Sequence, residues 1–229
     1  MEDCLVVIPA RAGSKGIKGK NKKNFLGKPL IQYSIEIAKQ FVDSKHICVS
    51  TDDDDIISLT KELGLEVPFK RPQDLSSDKA SSNDVLLHAL AHYEKHGRSY
   101  KKILLLQPTS PFRELTQLKE ANALYAEDLD MVVSVKETEA NPYYNLFEEQ
   151  DGLLNKSKES SYTRRQDCPN VYEYNGSIYV INTQSLINKG LGGFDKIKKY
   201  VMPNEYSVDL DVPLDWKIAE VIGKEFFKM

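Results

Sequence analysis

The chain has 229 residues, 41% hydrophobic and 28% charged, with a formal net charge of −3, which is enough to close a hydrophobic core without disulfides or structural metals. That balance excludes intrinsic disorder, a repetitive fibrous array and the basic surface a polymeric nucleic acid calls for. The longest apolar runs, Cys4 to Ala10 and Ile103 to Leu106, are far too short for a membrane span, and no signal-peptide order of basic, apolar and small-residue regions opens the chain, so a cytoplasmic protein is expected.

The first element is a strand over Leu5 to Ile8, followed by a polar loop and an apolar helix face at Ile31, Ser34, Ile35 and Ala38. A strand at Ile47 to Ser50 and a helix near Asp54 to Leu63 come next. A helix around Asn83 to His96, the strand Ile103 to Leu106, a helix near Thr116 to Ala126 and the strand Met131 to Val135 continue the alternation. Continuous apolar strands separated by helices predict an α/β, Rossmann-like fold, a mainly parallel sheet sandwiched by helices. Ligands of such sheets sit at the carboxyl ends of strands, so the loops after Ile8, Ser50 and Leu106 matter most. The rhythm breaks over 141–174, where Tyr143, Tyr144, Leu146, Phe147, Tyr162, Tyr172 and Tyr174 lie among polar residues without helical period. This stretch reads as an inserted dimerisation arm in a domain made of 1–140 and 175–229, with a mobile solvent loop as the plainer alternative. The sheet resumes at Ser177 to Ile181, and an acidic turn, Asp209-Leu-Asp-Val-Pro213, precedes a last helix over Leu214 to Lys224. Cys4, Cys48 and Cys168 form no C-x-x-C pair and are expected to be reduced structural thiols.

Charge is sorted along the chain. No Asp or Glu occurs between Cys4 and Ile35, whereas Arg11, Lys15, Lys18, Lys20, Lys22, Lys23 and Lys28 all fall there. Small residues, exposed backbone N–H groups and cations at the end of the first strand suit a polyphosphate, because glycines let the backbone approach and fixed cations neutralise a leaving pyrophosphate. The spacing is neither a P-loop nor a dinucleotide fingerprint, so a merely solvated basic loop stays open as the alternative. Asp209 and Asp211 alternate in an extended segment and share a face, a spacing that suits Mg²⁺, although two carboxylates before Pro213 are also ordinary loop chemistry. The run Asp52 to Asp55 starts a helical pattern and is assigned to capping. His88, His92 and His96 fall at i, i+4 and i+8 but lack the Glu of a zinc motif and are not assigned to metal.

The literal residues go further. Ile8-Pro-Ala-Arg-Ala-Gly-Ser-Lys-Gly-Ile-Lys-Gly-Lys-Asn21 with Gly27-Lys-Pro-Leu-Ile31 closely resembles the first motif of the CMP-sialic acid synthetases, the acylneuraminate cytidylyltransferases. Val49-Ser-Thr-Asp-Asp53, Arg71-Pro72 with Ser77-Asp78 and Ser81-Ser82, Leu105-Leu-Gln-Pro-Thr-Ser-Pro-Phe-Arg113, Asn175-Gly176 with Ile178-Tyr179, and Asp209 to Pro213 follow in family order. Ala12 and Lys18 depart from it, standing where Gly and Pro are commoner.

The resemblance implies a nucleotidyltransferase that joins CTP to a nine-carbon sugar acid, N-acetylneuraminic acid or a close relative, releasing pyrophosphate with Mg²⁺ as cofactor. Arg11, Ser14, Lys15, Lys20 and Asn21 would cradle the triphosphate, with Arg11 and Lys20 stabilising the transition state. Arg71, Ala80 and Ser82 match positions that hold cytosine and ribose, although Arg71-Pro72 alone is a turn and Ser81-Ser82 a helix cap. Asp209 and Asp211 would hold the metal, with Asp211 helping to deprotonate the attacking hydroxyl. Gln107 matches a sugar contact, to which Thr109 and Ser110 could add hydroxyl contacts, and Tyr174, Asn175, Tyr179 and Phe194 are candidate walls for the N-acyl group, with core packing an equal alternative for Tyr179. Arg164 and Arg165, in the arm, suit the sugar carboxylate and are expected to act in trans across a homodimer. Lys22, Lys23 and Lys28 are left as surface lysines. Legionaminic, pseudaminic or Kdo acid is the alternative substrate, and a non-catalytic nucleotide-sugar sensor the alternative of another class.

Overall fold

In the computed structural model, which describes residues 2–77 and 79–228, β-branched and aliphatic runs form the strands and periodic apolar faces form the helices. In chain order the elements are β1 (Cys4–Pro9), β2 (Asn24–Phe25), β3 (Lys28–Pro29), α1 (Leu30–Phe41), β4 (Ile47–Ser50), α2 (Asp54–Glu62), α3 (Ser82–Lys95), β5 (Lys102–Leu105), α4 (Leu115–Ala123) and β6 (Met131–Glu137). They continue with β7 (Phe147–Gln150), β8 (Leu153–Lys156), β9 (Tyr172–Asn182), α5 (Thr183–Lys189), β10 (Ile197–Val201) and α6 (Pro213–Phe226).

The central sheet runs β10-β6-β9-β5-β1-β4. β9 is antiparallel to β5 and β6, and the other neighbouring pairs are parallel. Successive β1 side chains part to opposite faces, as a pleated strand requires. Cys4, Val6 and Ile8 meet Ile31 and Ile35 of α1, Ile56 of α2 and Leu118 of α4, whereas Leu5 and Val7 meet Leu86 and Leu90 of α3 and Leu186 of α5. Both faces are therefore covered, which explains the unbroken apolar strands. A third cluster of Phe25, Leu30, Tyr33, Phe112, Leu210, Trp216 and Ala219 seats α6 against the small β2–β3 ribbon. That cluster fixes both the basic loop and the acidic turn relative to the sheet.

β4 lies on one side of β1 and β5 on the other, so the strand order reverses at β1. A crevice forms at that switch point, outside the carboxyl ends of β1 and β5.

The excursion after β6 contains the hairpin β7–β8, whose register pairs Phe147 with Lys156 and Gln150 with Leu153. It ends earlier than the sequence implies, because Tyr172, Glu173 and Tyr174 already pair with Glu137, Lys136 and Val135 in the main sheet. The edge strand β10 has no counterpart in the sequence reading; its Ile-Lys-Lys-Tyr-Val is mostly exposed and carries charge where a buried strand would not. Among the described residues, no helix is long and apolar enough to cross a membrane.

Candidate functional site

A cavity of about 550 Å³ opens at the switch point. Arg11, Ser14, Lys15, Lys20 and Asn21 from the loop after β1, Arg71 and Ala80 from the segment before α3 with Ser82 at its first position, Gln107 and Thr109 from the loop after β5, and Asp209 and Asp211 before α6 all line it. Residues from four separated segments converge here, as expected from the sequence.

The basic loop is held in shape by groups outside it. Ala12 N–H donates to Asp52 Oδ1 at 2.8 Å, and the Asn21 amide donates to the Arg11 carbonyl at 3.3 Å. Gly16 approaches the acidic turn so closely that a Cβ there would stand 2.0 Å from the Asp211 carbonyl oxygen, which is the physical requirement for glycine. Lys20 Nζ donates to the Leu210 carbonyl at 2.6 Å and to Asp211 Oδ1 at 3.0 Å. Lys22 is not the plain surface lysine expected: its ammonium bridges Asp53 at 2.9 Å and Asp55 at 2.6 Å. Asp53 meanwhile caps α2 by accepting from Asp55 N–H at 2.9 Å, so the acidic run does cap a helix and also anchors the loop. Lys28 pairs with Glu36, and Lys23 lies 4.5 Å above the Trp216 ring.

Arg71 is 5% exposed. Its Nε donates to Ser50 Oγ at 3.0 Å and its Nη2 to the Ser50 carbonyl, while its own N–H donates to the Thr51 carbonyl at 2.7 Å. The guanidinium is thus fixed to the end of β4 on the cavity wall, and burial pushes it down to about 10, opposed by Asp52. Ser81 and Asp84 form a reciprocal capping box at the start of α3. Ser82 therefore stands at a helix N-terminus that faces the cavity. Asp78, beside Ser77 in the matched segment, lies outside the described residues.

The acidic turn is stitched to its surroundings. Leu210 N–H donates to the Thr109 carbonyl at 3.0 Å, and Asp211 and Val212 N–H both donate to Asp215 Oδ2 at 2.9 and 2.8 Å. Desolvation raises the Asp209 carboxyl above its usual range and Asp211 reinforces the rise, against the Thr109 hydroxyl and Lys20. A carboxylate in that position gains from a nearby cation. Among the described residues, no group of three or more His, Cys, Asp or Glu gathers to make a protein-only metal cage. Mg²⁺ fits two hard carboxylates completed by substrate phosphates, and Asp209 and Asp211 have that donor chemistry. Both aspartates also line a second cavity of about 650 Å³, walled by Lys136, Glu137, Glu139, Glu173, Tyr174, Asp215 and Ile218. They stand as a ridge between the two cavities.

Several expected contacts are not brought to the first cavity. Ser110 is fully buried and its hydroxyl donates to the Asn175 carbonyl on β9. Asn175 lines the second cavity, with its side chain bonded to Ser134 at 2.6 Å and Ser207 at 2.9 Å. Phe194 packs against the core beneath α3, and Tyr179 packs there as well. Tyr174 is half exposed on the second cavity, edge-on to Tyr179 at 6.3 Å. Arg164 is held by Asp167 at 2.8 Å, and Arg165 by Glu139 at 3.2 Å, away from the first cavity. His88 and His92 pack on Phe69 at 4.5 and 5.0 Å, and His92 on His96 at 4.4 Å, as an aromatic row. Two groups escaped assignment, Gly16 and the buried Arg113, and Asp52, assigned with its run to capping, instead holds the basic loop at Ala12 N–H. Arg113 closes the Leu105 to Arg113 motif, which was the available signal.

The sequence matches the family described as Cytidylyltransferase over residues 5–223. It is 34% identical over 224 residues to the CMP-N,N'-diacetyllegionaminic acid synthase of Campylobacter jejuni subsp. jejuni serotype O:2, covering 97% of this chain and 95% of that protein. It is 35% identical over 228 residues to the N-acylneuraminate cytidylyltransferase of Streptococcus agalactiae serotype V, covering 97% of this chain and 53% of that longer protein. Among solved structures, a CMP:2-keto-3-deoxy-manno-octonic acid synthetase complexed with CTP superposes with a TM-score of 0.66 at 19% identity, covering 96% of this chain and 97% of that one. That likeness shows the Rossmann-like fold, and the match along nearly the whole sequence shows more: the chain belongs to the cytidylyltransferase family of the CMP-sialic acid synthetases and is a nucleotidyltransferase.

Proposed function

We propose that the protein joins CTP to a nonulosonic acid, N-acetylneuraminic acid or its legionaminic or pseudaminic relatives, giving a CMP-sugar and pyrophosphate. The observation that carries this reading is the juxtaposition, in one cavity, of the basic loop after β1 with the aspartate pair before α6. Relatives named for N-acylneuraminate and for diacetyllegionaminic acid match this chain at 35% and 34% identity, so the sugar class is favoured and the particular sugar is open.

The anomeric hydroxyl of the sugar acid attacks the α-phosphorus, a new O–P bond forms, and the bridging oxygen leaves with pyrophosphate. Such a displacement needs positioning and charge stabilisation more than protein nucleophiles. In this reading Arg11 and Lys20 meet the charge that grows on the departing phosphates, with Ser14, Lys15 and Asn21 cradling them. Arg71 offers its planar fork to the cytosine acceptors, and Ala80 and Ser82 border the ribose. Asp211 accepts the hydroxyl proton. Mg²⁺, held by Asp209 and Asp211, would supply charge neutralisation at the phosphates.

The second cavity is the natural place for the body of the sugar acid because it meets the first at the aspartates, with the reacting end crossing that ridge toward Gln107 in the first. Glu137, Glu139, Glu173 and Asp215 make it acidic, and Lys136 is already paired with Glu173 at 3.4 Å. A bound carboxylate needs a further cation there. In a homodimer, Arg164 and Arg165 of a second copy supply it, and the exposed Leu153 and Leu154 of the β7–β8 hairpin are covered by that copy. A cytoplasmic location is supported by three buried free thiols, of the kind a reducing compartment maintains.

A coupled pyrophosphate assay with CTP, Mg²⁺ and a panel of sialic, legionaminic, pseudaminic and Kdo acids tests the reading. Release only with nonulosonic acids is expected. Release with Kdo alone would move the substrate assignment, and no release with any sugar would favour a nucleotide-sugar sensor.

A further inference from the structure

Bonded to the backbone of Gln107, on the wall of the first cavity, lies a guanidinium with unusual surroundings. Arg113 is 6% exposed. Its Nε donates to Ser177 Oγ on β9 at 3.2 Å, its Nη1 to Ser34 Oγ on α1 at 3.0 Å, and its Nη2 to the backbone carbonyl of Gln107. All three acceptors are neutral, and among the described residues no carboxylate forms an ion pair with it. Burial pushes the guanidinium down to about 9, with Asp209 the opposing charge. Burying a cation against neutral acceptors is costly, and an apolar side chain of similar volume would commonly stabilise a core more. The retained charge therefore calls for a purpose other than packing.

That purpose is visible one residue away from the cavity wall. Gln107 lines the first cavity, with its carbonyl held by Arg113. The planar fork of Arg113 reaches a helix, a strand and the loop at once, which lysine's single ammonium does not reproduce. We propose that Arg113 is a positioning residue that fixes the Gln107 peptide so that the Gln107 side chain is presented to the sugar acid. The inference rests on the proposed reaction and adds a residue to it. Arg113 touches no substrate itself; it acts through Gln107.

A double-mutant cycle tests it, with Arg113→Lys and Gln107→Ala read in the pyrophosphate assay against the most active sugar and CTP. Arg113→Lys is expected to lower kcat/KM for the sugar, on the order of 10²-fold for a displaced contact, while leaving the KM for CTP unchanged. In the Gln107→Ala background the same change is expected to add no more than about twofold. Equal losses in both backgrounds, or sugar and CTP constants rising together, would overturn the inference and leave Arg113 as a structural strut. If Arg113→Lys does not fold, Ser177→Ala removes one anchor of the guanidinium and is read in the same cycle. Wild-type turnover reports on the reaction itself, so an active wild type with an additive cycle discards this inference alone.

Discussion

Lys20 Nζ stands 3.0 Å from Asp211 Oδ1, joining two residues 191 positions apart in the chain. The basic loop and the acidic turn are thus mutual counter-ions before substrate arrives. In the proposed reaction a triphosphate would offer Lys20 a richer anion and a cation would offer Asp211 a denser charge, exchanging the pair rather than preserving it.

Lys20→Ala is accordingly expected to cost activity more than stability. Removing a preorganised donor to the departing phosphates lowers kcat on the order of 10²–10³-fold. Thermal unfolding is expected to change little, because the pair is partly solvated and such bridges contribute little. Steady-state pyrophosphate release and a melting curve measured on the same preparation check both halves. A large loss of melting temperature with normal kcat would remove Lys20 from the chemistry.

Gly16→Ala isolates loop geometry from charge. A Cβ at 2.0 Å from the Asp211 carbonyl oxygen is sterically impossible, so the loop must withdraw from the acidic turn. The cations then face the phosphates from the wrong distance. A fall in kcat/KM for CTP on the order of 10²-fold is expected, and Gly13→Ala, where a Cβ meets nothing within 4 Å, serves as the control with a small effect.

How much of this was legible in the sequence differs by the kind of contact. Side chains that must point at a ligand come from short local motifs, so Arg11, Lys20, Arg71, Gln107 and Asp211 could be named from their segments, and the cavity gathers them. Ser110 belongs to a matched motif yet faces the core, and Asn175 borders the second cavity with its side chain committed to Ser134 and Ser207, because motif membership does not distinguish a ligand contact from the strut behind it. The supports were illegible for a different reason. Asp52 to Ala12 N–H, Lys22 to Asp53 and Arg113 to Gln107 depend on which loops become neighbours, and only the strand order supplies that. β10 and the hairpin β7–β8 likewise carry too much exposed polar surface for periodicity to reveal them.

Asp53 gives a pH-dependent prediction for stability. Burial tends to raise its carboxyl, but the Lys22 ammonium and the Asp55 N–H outweigh that and hold it below the usual 3.8. A carboxyl with a depressed folded value contributes stability above its unfolded value and loses it as pH falls through the folded one. Asp53→Asn keeps the cap and removes the charge, whereas Asp53→Ala removes both, at a cap cost of about 1 kcal/mol. The gap between wild type and Asp53→Asn in thermal unfolding is expected at neutral pH and to close as pH drops below about 3.8. A gap that persists unchanged in acid would deny the Lys22 pairing any role.

The arm arginines separate a shared site from a self-contained one. An Arg164→Ala, Arg165→Ala double variant and an Asp211→Ala variant are each expected to be nearly inactive. Mixed under conditions that exchange subunits, they regain activity if the arginines serve the neighbouring copy, since one site in the heterodimer is then intact. Mixtures no more active than their parts would place the arginines in cis, where Arg165 already meets Glu139.

The hairpin offers the complementary physical test. Leu153 and Leu154 are 70% and 71% exposed in the single chain, and Phe147 on the facing strand is 47% exposed. Apolar surface of that kind marks an interaction site or an aggregation liability. Replacing Leu153 and Leu154 by Asp touches no core contact of this chain, so folding is expected to survive within about 0.5 kcal/mol per site. Assembly is what changes: sedimentation is expected to shift from dimer to monomer, and activity to fall with it as the acidic cavity loses the partner's cations. A variant that stays dimeric and active would put the interface elsewhere, and one that turns monomeric while keeping full activity would show that each copy completes its own site.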